Sequence, residues 1–155
     1  SLTVLYPAPE FRGLENLINT TPIASMRQLL VKVVLIDFWT YSCINCLNAM
    51  PYVKTWHKKY TGHGLVVLGI HAPEFGFEKK YQNVLQAVKK HQIKFPVAQD
   101  NGFNLWRAHK NRYWPALYLI DKLGRARYMH FGKGRYQTTE SIIHQLLKKI
   151  KVFSY

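Results

Sequence analysis

Cysteine is scarce in this chain: Cys43 and Cys46 are the only two among its 155 residues. A structural zinc site commonly takes two separated pairs of Cys or His ligands, and the sequence has neither a second CxxC nor an HxxxH pair. A structural disulfide that closes so short a loop would restrict the unfolded chain little. Haem attachment through CxxCH is excluded because Leu47 follows Cys46. Redox chemistry is therefore the leading interpretation of the pair.

Acidic residues are also few, since 8 Asp and Glu face 22 Lys and Arg and leave a net charge of +14. Such a balance first suggests nucleic-acid binding. The basic residues are scattered, however, on the polar sides and ends of predicted helices, and no nucleic-acid-binding motif accompanies them. We therefore expect no nucleic-acid partner. Attraction to anionic membrane surfaces or to acidic partners is the secondary interpretation of the charge.

Long apolar runs are absent, and none reaches the roughly 18 residues that a membrane-spanning helix needs. The first residues, Ser1-Leu2-Thr3, lack the charged and apolar regions of a signal peptide and contain no Met. We therefore expect a processed or excised piece whose membrane association, if any, lies in a missing segment. The length suits a single domain, residues 1–155. Prolines and a glycine predict that residues 1–30 form an irregular segment packed on that domain.

Strand-like and helix-like patterns alternate after residue 30. Val33–Phe38 and Leu65–Ile70 are continuous apolar runs, typical of strands buried on both faces of a parallel sheet. Helical spacing of apolar residues follows each run, from Leu47 to Tyr60 and again after Gly76. The buried face of that second helix is predicted to consist of Phe77, Tyr81, Val84, Leu85 and Val88. The full order, β-α-β-α-β-α-β-β-α, predicts an α/β fold with a central mixed sheet flanked by helices.

The CxxC lies where the first of these strands gives way to the first helix. Free backbone N–H groups and the helix dipole at that junction favour a thiolate on the first sulfur. We therefore expect Cys43 to be the attacking thiolate. Cys46 lies one helical turn further along, where it is shielded, and is expected to be the resolving thiol.

Several residues around the cysteines resemble the thioredoxin superfamily. Thioredoxins carry a buried acid behind the disulfide, an aromatic pair after that acid, a kinking proline in the active-site helix and a cis-proline facing the CxxC. The matching residues in this sequence are Asp37, Phe38-Trp39, Pro51 and Trp114-Pro115. The longer stretch between Cys46 and Pro115 has room for one extra helix and strand, as in the TlpA and peroxiredoxin-like branch.

Four sequence strings narrow the resemblance. DFWTYSCINC, IHAPEF, PVAQDN and YWPALYLID closely resemble the thioredoxin-like domain of DipZ-type proteins. The resemblance implies a thioredoxin-like fold with an extra helix–strand insertion before the cis-proline, and the activity of a thiol–disulfide oxidoreductase that reduces protein disulfides. It also implies a periplasmic or otherwise extracytoplasmic location. The implied partners are client protein thiols or disulfides and a membrane electron-transfer partner of the DipZ/CcdA kind.

The same resemblance assigns a role to the buried acid and to the cis-proline. Asp37 is expected to accept the proton of Cys46 during resolution; the alternative is an ordinary contact between Asp37 and a neighbouring basic group. Pro115 is expected in the cis form, leaving a neighbouring backbone edge open to a client strand. No metal ligand is expected, and no cofactor beyond a redox-active Cys43–Cys46 disulfide.

Four further residues complete the predicted site. Trp114, Trp39 and Tyr41 are expected to form an apolar rim that binds the client around the thiols; the alternative for any one of them, and for Trp39 in particular, is a place in the core. Glu74 follows the second strand, where two interpretations stay open: a place near the same sheet edge, or a role at the start of a helix.

Two other functions remain as alternatives. A thiol-dependent peroxidase is suggested by Thr40-Tyr41-Ser42-Cys43, which fits the Thr-x-x-Cys pattern of peroxiredoxins although their usual proline is missing. A non-enzymatic copper carrier is suggested by two thiolates and a nearby His, because soft thiolate ligands favour Cu(I). Yet no His is placed by motif to join the CxxC.

Overall fold

A computed structural model describes residues 2–20 and 26–149 of the chain. Its strands are β1 (Tyr6–Pro7), β2 (Glu15–Ile18), β3 (Val33–Trp39), β4 (Leu65–His71), β5 (Val97–Gln99), β6 (Ala116–Ile120) and β7 (Arg125–Phe131). Its α-helices are α1 (Ile44–Tyr60), α2 (Tyr81–Lys90), α3 (Asn104–Ala108) and α4 (Tyr136–Lys148). Short 3₁₀ turns occupy Met26–Leu29, Thr61–His63 and Gly76–Lys79.

The strands form one mixed sheet in the order β1-β7-β6-β3-β4-β5-β2. At its centre β3 runs parallel to β4 and antiparallel to β6. Every residue of β3 is buried, which is what a continuous apolar run in the middle of a two-sided sheet requires. The predicted α/β fold is confirmed, including the extra helix and strand, α2 and β5, between the CxxC helix and Pro115.

Side chains along β3 alternate between two hydrophobic clusters, as the pleat of a strand dictates. Val33, Leu35 and Trp39 belong to the cluster that α1, α2 and α4 cover. The residues between them pack on the opposite face, which α3 and part of the N-terminal segment cover. Asp37 follows Leu35 by two positions, so its side chain lies on the face covered by α1, the helix that carries Cys46.

The N-terminal segment differs from its prediction. We expected residues 1–30 to be irregular, whereas β1 and β2 add to the two outer edges of the sheet, β1 against β7 and β2 against β5. The prolines that suggested irregularity are compatible with this arrangement, because edge strands tolerate a residue without a backbone N–H. Two and four residues are too few to show an alternating pattern in the sequence.

The second predicted helix is also shorter than its apolar spacing indicated. The chain forms the separate turn Gly76–Lys79 and is extended at Lys80 before α2 begins. Val84 and Val88 are buried as predicted, but 58% of the Phe77 surface is exposed. None of the helices within the described ranges is long and apolar enough to cross a bilayer.

Candidate active site

Two loops that carry predicted site residues meet at one edge of the sheet. β3 ends at Trp39 and leads through a short loop into α1, while β6 starts at Ala116, directly after Pro115. Because the two strands are antiparallel, Phe38 near the end of β3 is paired with Ala116. The CxxC and Pro115 therefore lie at the same edge.

Cys43 is the residue that caps α1. Its backbone is extended, and its Sγ accepts a hydrogen bond of 3.2 Å from the backbone N–H of Cys46. The side chain is half-buried and carries a free thiol. Hydrogen bonding from the Cys46 thiol, with help from the N–H groups of Cys46 and Asn45, lowers the pKa of Cys43 from 9.0 to about 7 against the opposing effect of burial. A large fraction of Cys43 is therefore thiolate at neutral pH.

Cys46 has the opposite environment. It is only 2% exposed, and burial, its hydrogen bond to the Cys43 sulfur and the negative charge of Asp37 all raise the pKa of its thiol. The pair thus consists of an accessible thiolate and a shielded thiol. This is the asymmetry that an attacking and a resolving cysteine require.

Asp37 lies behind the pair, 3% exposed, on the face of β3 that α1 covers. Burial and, second, the charge on Cys43 raise the pKa of Asp37 from 3.8 to about 7. The alternative of a contact with a basic group finds no support, since the acids that form ion pairs in the described part of the chain are Asp121 and Glu140. A carboxylate with a pKa near 7 can accept and release a proton at physiological pH.

Glu78 is a site residue that the sequence did not reveal. It is fully buried, and its Oε2 accepts hydrogen bonds from the hydroxyl (2.5 Å) and the backbone N–H (3.3 Å) of Ser42, the residue before Cys43. Its Oε1 accepts from the backbone N–H groups of Glu74 (2.8 Å) and Phe75 (2.9 Å). Glu78 therefore joins the loop that precedes the nucleophile to the turn that follows β4.

The hydrogen bonds to Glu78 also decide its charge. Burial by itself would raise the pKa of the carboxyl, but hydrogen bonds from Ser42, Thr40 and the backbone outweigh burial and hold the pKa below its usual 4.5. Glu78 is therefore ionised at neutral pH. No local pattern in the sequence points to this role, since Glu78 directly precedes the basic pair Lys79-Lys80.

His71 is a second unpredicted neighbour of the thiol loop. It is completely buried, its Nε2 accepts the backbone N–H of Tyr41 at 3.3 Å, and the Thr40 hydroxyl lies at the same distance from that nitrogen. Burial lowers the pKa of His71 to about 4, so the ring is neutral. The Tyr41 ring stacks on the His71 ring with centroids 5.6 Å apart. This contact holds the half-buried Tyr41 side chain against the core.

Comparison with known proteins identifies the family. A family model described as "Thioredoxin-like" matches residues 31–126. The chain belongs to the thioredoxin-like family. It is 46% identical over 147 residues to protein DipZ of Mycobacterium bovis, covering 93% of this chain. It is 30% identical over 142 residues to the thiol-disulfide oxidoreductase YkuV of Bacillus subtilis, covering 91% of this chain and 94% of that protein.

A crystal structure of a thioredoxin-like superfamily protein superposes with a TM-score of 0.86 at 25% identity, over 94% of this chain and 99% of the other. The chain spans about a fifth (21%) of the length of DipZ. The expectation of a thiol–disulfide oxidoreductase is confirmed at the level of the family.

The predicted aromatic rim of this thioredoxin-like site is only partly present. Trp39 was expected at the rim but is 0% exposed, because its position in β3 directs it under the helices, where its ring contacts His71 edge-on at 4.9 Å. Tyr41 and Trp114 are half-buried and pack, as Cys43 does, at the border of the same core cluster. The Trp114 Nε1 donates to the carbonyl oxygen of Ala72 (2.9 Å), which holds the ring in place.

Pro115 and Glu74 are both placed near the thiols. The Trp114–Pro115 peptide bond is cis, and Pro115 is buried. Glu74 is exposed, and its negative charge tends to raise the pKa of Cys43. Glu74 therefore fits both interpretations: its charge acts on Cys43, and it stands two residues before the turn Gly76–Lys79, where its backbone N–H donates to Glu78.

The geometry of the site supports neither alternative function, the thiol-dependent peroxidase or the copper carrier. No group of three or more His, Cys, Asp or Glu side chains in residues 2–20 and 26–149 is arranged to hold a metal ion. The Thr40 hydroxyl, which a peroxidase would direct at its peroxide-reducing cysteine, is buried and lies at hydrogen-bonding distance from His71.

Proposed function

We propose that the chain reduces disulfides of extracytoplasmic client proteins through Cys43 and Cys46, and that a membrane electron-transfer partner of the DipZ/CcdA kind restores its thiols. The observation that supports the proposal best is the opposite displacement of the two thiol pKa values, downwards for Cys43 and upwards for Cys46. The 46% identity to DipZ supports the extracytoplasmic location and the partner.

The reaction runs in two exchange steps. The Cys43 thiolate attacks one sulfur of the client disulfide, forming a mixed disulfide and releasing the other client sulfur as a thiolate. The Cys46 thiol then transfers its proton to the Asp37 carboxylate and attacks the Cys43 sulfur, so that the second client sulfur leaves as a thiolate. Two electrons have then passed to the client, and the chain holds a Cys43–Cys46 disulfide.

The client is oriented by the residues around the thiols. Trp114 and Tyr41 offer half-buried aromatic surface and pack, like Cys43, against the same core cluster, and the loop at Pro115 lies at the same edge of the sheet. A client strand that pairs with the backbone next to Pro115 would bring its sulfur to Cys43. Trp39 takes no part in this contact because it is completely buried.

Single-cysteine variants test the chemistry. With a disulfide-bonded protein such as insulin as substrate, we expect Cys43→Ser to abolish turnover, and Cys46→Ser to trap a mixed disulfide that non-reducing gels detect. A Cys43→Ser variant that still exchanged disulfides normally would contradict the assignment. The equilibrium potential against glutathione tests the direction: a value near the thioredoxin potential of about −270 mV supports a reductant, whereas one near about −120 mV contradicts it.

A further inference from the structure

An open groove of about 510 Å³ lies between α1 and α2, and its lining includes Tyr41 and Leu47, which stand two residues before and four residues after Cys43. Its near end is lined by Tyr41, Leu47 and Phe77. Leu47 lies one helical turn after Cys43, and its backbone N–H donates to the Cys43 carbonyl oxygen at 3.1 Å. A polypeptide whose sulfur has reached Cys43 therefore has the mouth of this groove directly beside it.

The near end is apolar and held in place although it is exposed. Phe77 is 58% exposed, yet its carbonyl oxygen accepts hydrogen bonds from the Tyr41 hydroxyl (3.3 Å) and the Asn83 side-chain amide (3.1 Å). Its ring stacks on that of Phe75, also exposed, with centroids 5.7 Å apart. Large aromatic side chains that are exposed and fixed in this way are typical of binding surfaces.

The far end of the groove is cationic. Lys90 and His91 line it, Lys90 is exposed, and the Lys54 ammonium adds a second charge by donating to the His91 carbonyl oxygen at 2.8 Å. The groove lining contains no Asp or Glu. This end therefore complements a carboxylate.

The distance between the two ends fits a short stretch of extended chain. Asn83 and Lys90 both line the groove and lie seven helical positions apart, about 10 Å at roughly 1.5 Å per residue. An extended polypeptide advances about 3.3 Å per residue. Three to four residues of a client would therefore span the groove.

We propose that this groove is a client-binding subsite, which takes an extended segment with an apolar side chain next to the reactive cysteine and an acidic side chain three to four residues away. The inference rests on the proposed function, because it concerns the client of the same thiol pair. It adds a substrate preference: among protein disulfides, those flanked by an apolar and then an acidic residue react fastest.

Synthetic peptides test the preference. Each peptide carries a central Cys joined to thionitrobenzoate by a disulfide, Leu on both sides of the Cys, and either Asp or Lys at the fourth position on both sides, so that either chain direction is sampled. The Cys43 thiolate attacks the peptide sulfur and thionitrobenzoate leaves with the bonding electron pair, which its absorbance records. We expect the reduced chain to react about fivefold faster with the acidic peptide than with the basic one.

Matched variants separate the groove from the overall positive charge of the protein. We expect Lys90→Glu to bring the ratio of acidic to basic rates to about one or below. Lys89→Glu makes the same charge change at the neighbouring exposed position outside the groove and should keep most of the preference. A ratio of rates cancels any general change in thiol reactivity. Similar losses in the two variants would overturn the proposal, because the preference would then be a property of the whole surface.

The apolar end has its own test. We expect Phe77→Ser to slow the Leu-flanked peptide at least threefold relative to a Gly-flanked one. Leu123→Ser, in the turn between β6 and β7 and 48% exposed against 58% for Phe77, should leave that ratio unchanged. Oxidation by 2-hydroxyethyl disulfide, which is too small to span the groove, tests the underlying function separately. If it oxidises the thiols but the peptides react equally, the groove proposal is wrong; if no disulfide oxidises them, the proposed function is wrong as well.

Discussion

Two buried carboxylates flank the thiol pair, and their environments are opposite. Asp37 lies behind the cysteines, and burial raises its pKa to about 7. Glu78 lies beneath the loop that precedes Cys43 and, like Asp37, has almost no exposed surface, yet its pKa is below the usual value because Ser42, Thr40 and two backbone N–H groups donate to it. Hydrogen bonding, and not burial alone, decides which acid keeps its charge.

The difference assigns the two acids different tasks. Asp37 has a pKa close to physiological pH and can exchange a proton with Cys46, whose pKa it raises in turn. Glu78 keeps its charge and fixes the backbone on either side of the thiol site. In the function proposed above, Asp37 takes part in the proton transfer, whereas Glu78 holds the loop that precedes Cys43.

The largest expected effect is on stability. The Asp37 pKa is about 7 in the folded chain, whereas its ordinary value, which applies to the unfolded chain, is 3.8. The folded chain therefore binds the proton more tightly than the unfolded chain does. Protonated Asp37 therefore contributes fully to the free energy of unfolding below about pH 4. This contribution, about 4 kcal/mol, is lost as the pH rises to 7. We expect Asp37→Asn to increase the free energy of unfolding by about that amount at pH 8 and to change it little at pH 4.

Urea unfolding of the reduced protein at both pH values measures this difference. Glu15→Gln, on the exposed surface of β2, is the control for loss of a carboxylate and should change neither value. An equal gain for Asp37→Asn at pH 4 and pH 8 would contradict the explanation, because it would be due to packing and not to ionisation.

The second effect is on the resolving step. Removing a positioned general base costs about 10²-fold or more in the rate of proton transfer, so we expect Asp37→Asn to slow resolution about a hundredfold near pH 8. The reaction to follow is release of glutathione from a preformed mixed disulfide at Cys43. Wild type should show an inflection that the variant lacks. It should lie somewhat below pH 7, because burial still raises the Asp37 pKa but the mixed disulfide removes the charge of Cys43. If both profiles coincide, Asp37 is not the proton acceptor.

For Glu78 we expect a substitution to lower the free energy of unfolding, whereas Asp37→Asn raises it. In Glu78→Gln an amide NH₂ replaces an oxygen that accepts hydrogen bonds, which leaves a buried backbone donor unsatisfied at a cost of about 2 kcal/mol. We therefore expect the free energy of unfolding to fall at pH 7, where Asp37→Asn raises it. The folded pKa of Glu78 is depressed, so its contribution is present above the ordinary pKa of 4.5 and is lost as the pH falls below it. The loss in free energy of unfolding relative to wild type should therefore become smaller in acid. A loss that does not change with pH would contradict the conclusion that Glu78 is ionised in the folded chain.

Of the two acids, Asp37 could be predicted from the sequence and Glu78 could not. Asp37 was predicted because it lies six residues before Cys43, where the thioredoxins that the sequence resembles carry a buried acid. Glu78 was missed because its partner, Ser42, is 36 residues away and nothing local relates them. The fold could be predicted from β3 onward, since long apolar runs and helical spacing specify elements that tertiary contacts only assemble.

The predictions that were wrong, for Trp39, Phe77 and the edge strands, have local physical causes. Strand alternation alone places Trp39 on the same buried face as Leu35, and the resemblance to thioredoxins, which suggested a rim, carries no information on exposure. Phe77 fits the apolar spacing of a helix, but the chain is extended at Lys80, so Phe77 precedes α2 and remains exposed. The edge strands β1 and β2 depend on pairing with distant partners.

The smallest expected effect concerns Glu74, an exposed acid whose charge acts on the nucleophile. Its charge raises the pKa of Cys43, against the hydrogen bonds that lower it to about 7. In Glu74→Gln we expect the midpoint of Cys43 alkylation by iodoacetamide to fall by a few tenths of a pH unit, because water and salt screen an exposed charge. The shift should disappear at about 1 M salt, and Glu15→Gln should not produce it. A shift that persists at high salt would mean that Glu74 acts through the loop that Glu78 holds, to which its backbone N–H donates, and not through its charge.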